Sequence, residues 1–396
     1  MVVKTVYIIL LLFVLLVVVV PIVLGVLGIS VIPDGGWGGS GSGSTSTQGL
    51  SGVLLRSSDG GGHWTAAEWN RDNRPALPAG ISDIAFHPTN TDVVFAGTIG
   101  SGLWKSENTG AVWRKINDAN HILQSAADVY KIAISSTKPD VMYLATVQSN
   151  RGRVLRTDDG GDSWHEIYSV TQDGWAVFDI YTPPGLPDNV MIATGEGRLL
   201  ASGDGGKQWR LVRSVGAPIA KLAVNPTFSG ERYLISALGT MAKSFDSGET
   251  WSELGNPADT QSDNGDGSSV GVIRHPYSNW RFTFSAPALS FSFAIDPQNP
   301  ALLYFIRDDA LFSSFNGGFG WRKLTTLITS AGTALGGVAV SPSRGGTIFV
   351  AAGPDLYQTA DGGASWSVAS VAPGASLKKI FIHPRRPDIM FITAGR

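Results

Sequence analysis

The chain has 396 residues, a formal net charge of −2, 49 glycines, 16% charged residues and no cysteine. Without cysteine there is no disulfide, thiolate metal ligand, cysteine nucleophile or bacterial lipoprotein anchor, and a near-neutral balance without a long basic block gives no footprint for nucleic acid. Frequent glycine among many Val, Ile, Phe and Trp predicts short strands joined by tight turns.

The first element is apolar. From Val6 to Ile32 no residue is charged, and nearly all are Val, Leu or Ile. That length of helix crosses a hydrocarbon core of about 30 Å. It exceeds the apolar region of a cleaved signal peptide, about 7–15 residues, and no clear small-x-small cleavage site follows. Residues 1–32 are therefore expected to form an uncleaved single-pass anchor, with a cleaved signal as the alternative. Pro21 is a potential kink that neighbouring groups in a membrane can accommodate. Lys4 ahead of the run and Asp34 after it favour a cytoplasmic N-terminus and an exported remainder, periplasmic or at the cell surface.

Residues 33–49, beginning PDGGWGGSGSGSTSTQ, are Gly/Ser-rich and predict a flexible tether with a reach of about 20 Å. Trp37 within it suits either an interfacial belt or an ordinary linker position.

From Leu50 onward one pattern recurs seven times: RSSDGGGHW, KSENTGAVW, RTDDGGDSW, ASGDGGKQW, KSFDSGETW, SSFNGGFGW and QTADGGASW. The shared residues are an Asp or Asn (Asp59, Asn108, Asp159, Asp204, Asp246, Asn316, Asp361), a Gly two positions later and a Trp five positions later (Trp64, Trp113, Trp164, Trp209, Trp251, Trp321, Trp366). In every copy a Ser or Thr stands two positions before. The intervals are 49, 51, 45, 42, 70 and 45 residues. A fixed signature at this period indicates radial or solenoid repetition.

Each copy is flanked alike. A short apolar strand, usually ending at Pro, comes first: DIAFHP, KIAISS, FDIYTP, KLAVNP, FAIDP, GVAVSP and KIFIHP. A second follows, such as DVVFAGT or DVMYLAT. A third enters the repeated turn and a fourth leaves it. Four strands seven times predict an all-β, seven-bladed propeller over residues 50–396. The last repeat supplies only first and second strands, and the start of the domain only third and fourth. Joining the termini completes one blade with an interval of 45 residues. Closure removes exposed strand edges, and predicts Ile392 and Val53 on adjacent strands.

The repeated turn resembles the Asp-box, or BNR repeat, of sialidases, sortilin-type receptors, xyloglucan-hydrolysing enzymes and photosystem II assembly factors, and the resemblance covers about Leu50 to Arg396. It implies that the box forms the hairpin between third and fourth strands, on the face away from the ligand. Residue chemistry agrees. Asp or Asn accepts backbone N–H groups in a turn, and Gly takes a φ that other residues resist. The Trp ring folds under the turn. Asn at 108 and 316 keeps an acceptor but loses the charge, which a general acid or a ligand relying on that charge tolerates poorly. The aspartates are thus read as structural. DNGDG, at 263–267, fails the EF-hand pattern in both registers, because position 12 falls on Gly271 or Ile273. The six histidines form no metal pair, and no metal or cofactor is expected.

Function is expected on the opposite face, made by the links between second and third strands and between successive blades. The 70-residue interval contains a long insertion whose second half, VIRHPYSNWRF, carries Arg274, His275, Tyr277, Trp280 and Arg281. Aromatics beside Arg are the composition of a binding hot spot; the alternative is a packed cap over the channel. Glu68, Arg71, Asp72, Arg74, Asp118, His121, Arg151, Arg153, Asp173, Glu196, Arg307, Asp308 and Asp309 are expected on the same face. Glycoside hydrolysis requires two carboxylates about 5–9.5 Å apart, with Glu196, Asp173 and the Asp308–Asp309 pair as the candidates. The enzyme patterns of the resembled families are incomplete: there is no Arg-Ile-Pro segment, and there is length for one propeller only. The expectation is a membrane-anchored module that binds a protein, peptide or glycan, with a glycoside hydrolase as the alternative.

Overall fold

The computed structural model describes residues 53–67, 80–254, 291–307, 309–327 and 333–395. The expected anchor at 6–32, the linker at 33–49 and the insertion carrying Arg274 to Arg281 lie outside the described residues. Within those described, no helix is long and apolar enough to cross a membrane.

The described residues form seven four-stranded antiparallel sheets, each a meander in the order first, second, third, fourth. Blade 1 is β3 (Ile81–Phe86) to β6 (Arg114–Lys115), and blade 2 is β7 (Asp128–Ile134) to β10 (His165–Ser169). Blade 3 runs from β11 (Val177–Tyr181) to β14 (Arg210–Ser214), and blade 4 from β15 (Ile219–Val224) to β18 (Ser252–Leu254). Blade 5 runs from β19 (Phe291–Ile295) to β22 (Arg322–Lys323), and blade 6 from β23 (Leu335–Val340) to β26 (Ser367–Ser370). Blade 7 joins β27 (Ser376–Ile382) and β28 (Met390–Gly395) to β1 (Val53–Ser57) and β2 (Thr65–Ala66). The pairing of Leu55 with Ile392 and of Val53 with Ala394 establishes the closure expected from the split repeat.

The core consists of seams between blades. Met142 and Leu144 on one side of β8 (Met142–Gln148) pack with Phe95 and Leu103 of blade 1. Tyr143 and Ala145 on its other side pack with Val177 and Ile192 of blade 3. Period-two alternation thus feeds two seams at once, which explains why second strands such as Val94–Thr98, Val190–Thr194 and Ile348–Ala352 are buried at every residue. Equivalent clusters join blades 3 and 4, 4 and 5, 5 and 6, 6 and 7, and 7 and 1, closing the ring.

The seven repeated turns share one hydrogen-bond pattern. In blade 2 the Thr157 hydroxyl donates to Asp159 Oδ1 at 2.6 Å and accepts the Gly161 amide at 3.1 Å, while Oδ1 accepts the Ser163 amide at 3.0 Å. Gly160 and Gly161 have φ of 75° and 103°, and the indole N–H of Trp164 donates to the Gly161 carbonyl at 3.2 Å. Positive φ extends to the residue directly after the Asp or Asn, where Thr109 (55°) and Ser247 (63°) also adopt it. Trp209 and Trp366 reach instead across the seam, to the Ile167 carbonyl and the Thr326 hydroxyl.

The second carboxylate oxygen explains where Asp gives way to Asn. In four of the five aspartate turns Oδ2 meets a side-chain donor four residues on: His63 at 2.5 Å, Ser163 at 2.5 Å, Thr250 at 2.5 Å and Ser365 at 2.6 Å. Behind Asn108 and Asn316 that position holds Val112 and Gly320, which offer only an amide to Oδ1. Asp204, followed by Gln208, uses the amide alone. In four turns the charge coincides with a second donor, and Asp204 keeps it without one.

These bonds favour the ionised form. Asp246 is held at about 2, chiefly by the Thr250 hydroxyl and amide. Burial raises Asp159, but the Ser163 and Thr157 hydroxyls outweigh it and bring it to about 2. Asp59 is lowered by the His63 amide first, and Asp361 by the Ser365 hydroxyl. A depressed folded pKa contributes stability that is complete above the unfolded value of about 3.9 and is lost as pH falls through the folded one. The melting temperature should therefore show an acid limb between about pH 4 and pH 2, shallower in D246N and D361N. An unchanged limb in both would remove the turns as its source.

Candidate functional site

The loop face is a set of bridges between neighbouring blades. Glu196 stands at the tip of the second-to-third-strand turn of blade 3. Gly197 (φ 76°) makes that turn, where a Cβ would lie 2.4 Å from the Val215 carbonyl oxygen. Glu196 Oε1 accepts the Thr171 amide at 3.0 Å and the Thr171 hydroxyl at 2.5 Å. Its Oε2 lies 3.7 Å from the Arg198 guanidinium, and the side chain keeps only 8% of its surface. This carboxylate clamps the link between blades 2 and 3. Asp173, on the same link, pairs with Arg151 at 2.7 Å. Asp128 accepts the Gly100 amide at 2.7 Å, tying blade 1 to blade 2.

The other expected residues are dispersed. Asp118 caps the Asn120 and Leu123 amides, and the adjoining Ala119 amide donates to Asp162 in the repeated turn of the next blade. Arg153 pairs with Glu166 on the outer strand of its own blade. Arg307 lies against the blade 4 turn, where a side chain at Gly239 would meet its guanidinium at 2.9 Å. His121 has a φ of 61° and Asp309 is exposed. Glu68, Arg71, Asp72, Arg74 and Asp308 lie outside the described residues, as does the Arg274–Arg281 group. Among the described residues no three His, Cys, Asp or Glu side chains group as a metal site.

At the axis lies an arrangement the sequence reading passed over. First strands of adjacent blades pack against one another and line the channel. One register position on these strands carries Asp83, Lys131, Asp179, Lys221, Ser292, Gly337 and Lys379 in blades 1 to 7. Asp83 accepts the Ile132 amide of blade 2 at 2.9 Å and pairs with Lys131 at 3.1 Å. Asp179 accepts the Leu222 amide of blade 4 at 2.9 Å and pairs with Lys221 at 3.3 Å. Ser292 accepts the Val338 amide of blade 6 at 3.1 Å. One acceptor thus serves three seams by the same bond. Enclosure alone lowers Lys131, but Asp83 and Asp179 outweigh it and its net shift is upward. Lys379 is lowered, by desolvation first and then by Lys131 and Lys221 against the opposing pull of Asp83. The Lys379 side chain itself is exposed. The signal was present in the strands themselves, where DIAF, KIAI, FDIY, KLAV and KIFI set a charge at one register of an otherwise apolar element.

On the face of the repeated turns, a cleft of about 710 Å³ between blades 2 and 3 is lined by Arg156, Asp158, His165, Glu166, Asp188 and Lys207, among others. Arg156 is held by Asp158 at 2.6 Å and Asp188 at 2.8 Å, and lies over the Tyr143 ring at 5.5 Å. Burial pushes the Tyr143 hydroxyl up to about 12, so it stays protonated and donates to the Pro187 carbonyl at 2.7 Å.

No family model matches the chain. It is 29% identical over 122 residues to a vacuolar protein sorting/targeting protein 10 of Mycosarcoma maydis, a match spanning 29% of this chain and 8% of that protein. Among solved structures it resembles a GH74 xyloglucanase from Xanthomonas campestris with a TM-score of 0.57 and 16% identity, over 80% of this chain and 51% of the other. It resembles YCF48 bound to D1 peptide with a TM-score of 0.56 and 16% identity, over 80% of this chain and 91% of the other. The chain spans about half the xyloglucanase and a small part of the sorting protein. These likenesses support the propeller fold.

Proposed function

We propose that the chain is a binding propeller of the Asp-box type, held to a membrane by residues 6–32 with the propeller on the extracytoplasmic side, and that it holds a protein or peptide partner on its loop face. The observation carrying this reading is that two of the carboxylates suited to hydrolysis are engaged structurally, Glu196 by clamping the link between blades 2 and 3 and Asp173, on that link, by pairing with Arg151 of blade 2. A general acid and its partner must face one bond across a cleft, whereas these two anchor the link between blades 2 and 3. YCF48, matched over most of its length, is a propeller of similar extent bound to a peptide. The aromatic and cationic side chains of the insertion, Tyr277 and Trp280 with Arg274, His275 and Arg281, would supply anchors, together with Arg307 and Asp308. The alternative, hydrolysis of an extracellular glycan, draws on the xyloglucanase likeness.

The test uses the full chain in detergent micelles for a pull-down from membrane extracts and for a glycan array read for both binding and cleavage. Partner capture that falls at least tenfold in a W280A/R281A variant, without cleavage, is the expected outcome. Glycan cleavage abolished by E196Q or D308N would overturn it.

A further inference from the structure

The links from first to second strands share one face with the repeated turns. In every blade the amide after the Asp or Asn donates to a carbonyl of the link, as Gly160 does to Asp140 at 3.0 Å and Ser247 to Gly230 at 2.9 Å. All of these links and turns lie among the described residues. Every Phe, Tyr or Trp side chain that is exposed among the described residues stands here, on two adjacent blades: Phe228 (56%), Phe245 (51%), Phe315 (50%) and Phe319 (59%). They form one group. The buried Lys243 ammonium lies 4.7 Å from the Phe245 ring centroid and 5.4 Å from that of Phe319. Phe228 and the Phe245 carbonyl flank Gly230, where a Cβ would meet them at 2.8 and 3.3 Å. Arg322 lies 4.2 Å over the Phe315 ring. Exposed aromatic rings gathered in one place mark an interaction surface.

Charge differs on the two sides of this group. In blades 2 and 3 the cleft bears Asp158, Glu166, Asp188 and Asp204 against Arg156 and Lys207, and Asp162 is exposed on the same turn as Asp158. Arg156 is already divided between Asp158 and Asp188. On the other side, Arg344 in the link of blade 6 and Arg385 in the link of blade 7 are exposed and, among the described residues, make no ion pair. The acids of those two blades are engaged: Asp361 by Ser365, Asp59 by His63 and Asp388 by Arg386.

We propose that this face is the interface of a homodimer, in which a second copy packs face to face about a two-fold axis that runs in the plane of the face, between blades 4 and 5 and through blade 1. With seven blades, such an axis sets blade 4 of one copy against blade 5 of the other, blade 3 against blade 6 and blade 2 against blade 7. The phenylalanines then meet their own counterparts, and the acidic cleft of each copy faces Arg344 and Arg385 of the other. A two-fold interface needs this self-complementarity, and paired patches of opposite sign fix its register. A lipid surface fits less well, because the acidic half repels anionic headgroups. Acid and base placed at mirrored positions about one aromatic group is what self-association requires. The interface is independent of the loop face, which stays open in both copies, and of the function assigned to that face.

The test is sedimentation velocity of the full chain in detergent micelles, with wild type compared with F245A/F319A, D158K/D162K and R344E/R385E. Wild type should sediment as a dimer, and each variant alone should raise the dissociation constant at least about tenfold. The two charge variants are then mixed in equal amounts. Each carries one sign on both halves of the face, so its own dimer is repelled, whereas the mixed pair attracts on both halves and should recover the wild-type dissociation constant. Recovery in the mixture also shows that the variants are folded. Any association through residues 6–32 is common to all four proteins and leaves these differences untouched. A monomeric wild type, variants that dimerise as tightly as wild type, or a mixture no tighter than its components would overturn the proposal.

Discussion

Replacing Trp164 by Ala lowers the unfolding free energy by about 3–5 kcal/mol, several times the effect of the same change at Trp366. Both residues occupy the same place in the repeat, so a sequence pattern assigns them equal weight. Their surroundings differ. Trp164 is fully buried, and its ring packs into the seam formed by Phe95, Leu103, Ile116 and Met142. Its amide is held by Asn120 at 3.1 Å, and Asn120 donates back to its carbonyl at 2.6 Å, fastening the link from blade 1. Truncation opens a cavity bounded by a backbone Gly161 and rigid strands, which cannot collapse into it. Trp366 is only partly buried and its indole N–H meets a hydroxyl at 3.4 Å. Urea unfolding followed by circular dichroism ranks the two; equal losses would mean that the turn, and not the seam, sets the energy.

The same contrast shows what the sequence made legible. Seven copies of one turn give the blade count, and the unpaired strands at each end give the closure between Leu55 and Ile392, because both rest on local pattern and arithmetic. The partner of the charge is also local: in four turns it sits four residues on, at His63, Ser163, Thr250 and Ser365. Glu196 is different. As a lone acid in an exposed turn it resembles a catalytic candidate, and the partner that engages it, Thr171, lies 25 residues away on the link from blade 2. The axial belt stands between these cases. Its charges are evident in the strands, but their meaning depends on seven strands meeting at one level, which follows only after the ring is closed.

That level supports a second strong expectation. Asp83→Leu should cost about 2–4 kcal/mol, less than the 3–5 kcal/mol typical of breaking a fully buried pair, because Lys131 keeps 26% of its surface. Two losses combine. The Ile132 amide forfeits its acceptor, worth about 1–3 kcal/mol when left buried, and Lys131 forfeits its nearest counter-charge. Asp83→Asn separates them, since the amide oxygen still accepts from Ile132 while the charge is gone. The double variant D83L/K131M removes the stranded cation and should recover about 1–2 kcal/mol relative to D83L, leaving the amide term. The order of melting temperatures is then wild type, D83N, D83L/K131M and D83L, from highest to lowest. Strict additivity of D83L and K131M would show that the two side chains do not act as a pair. The belt's charge balance also turns on this residue: with Asp83 neutral, three lysines face Asp179 alone.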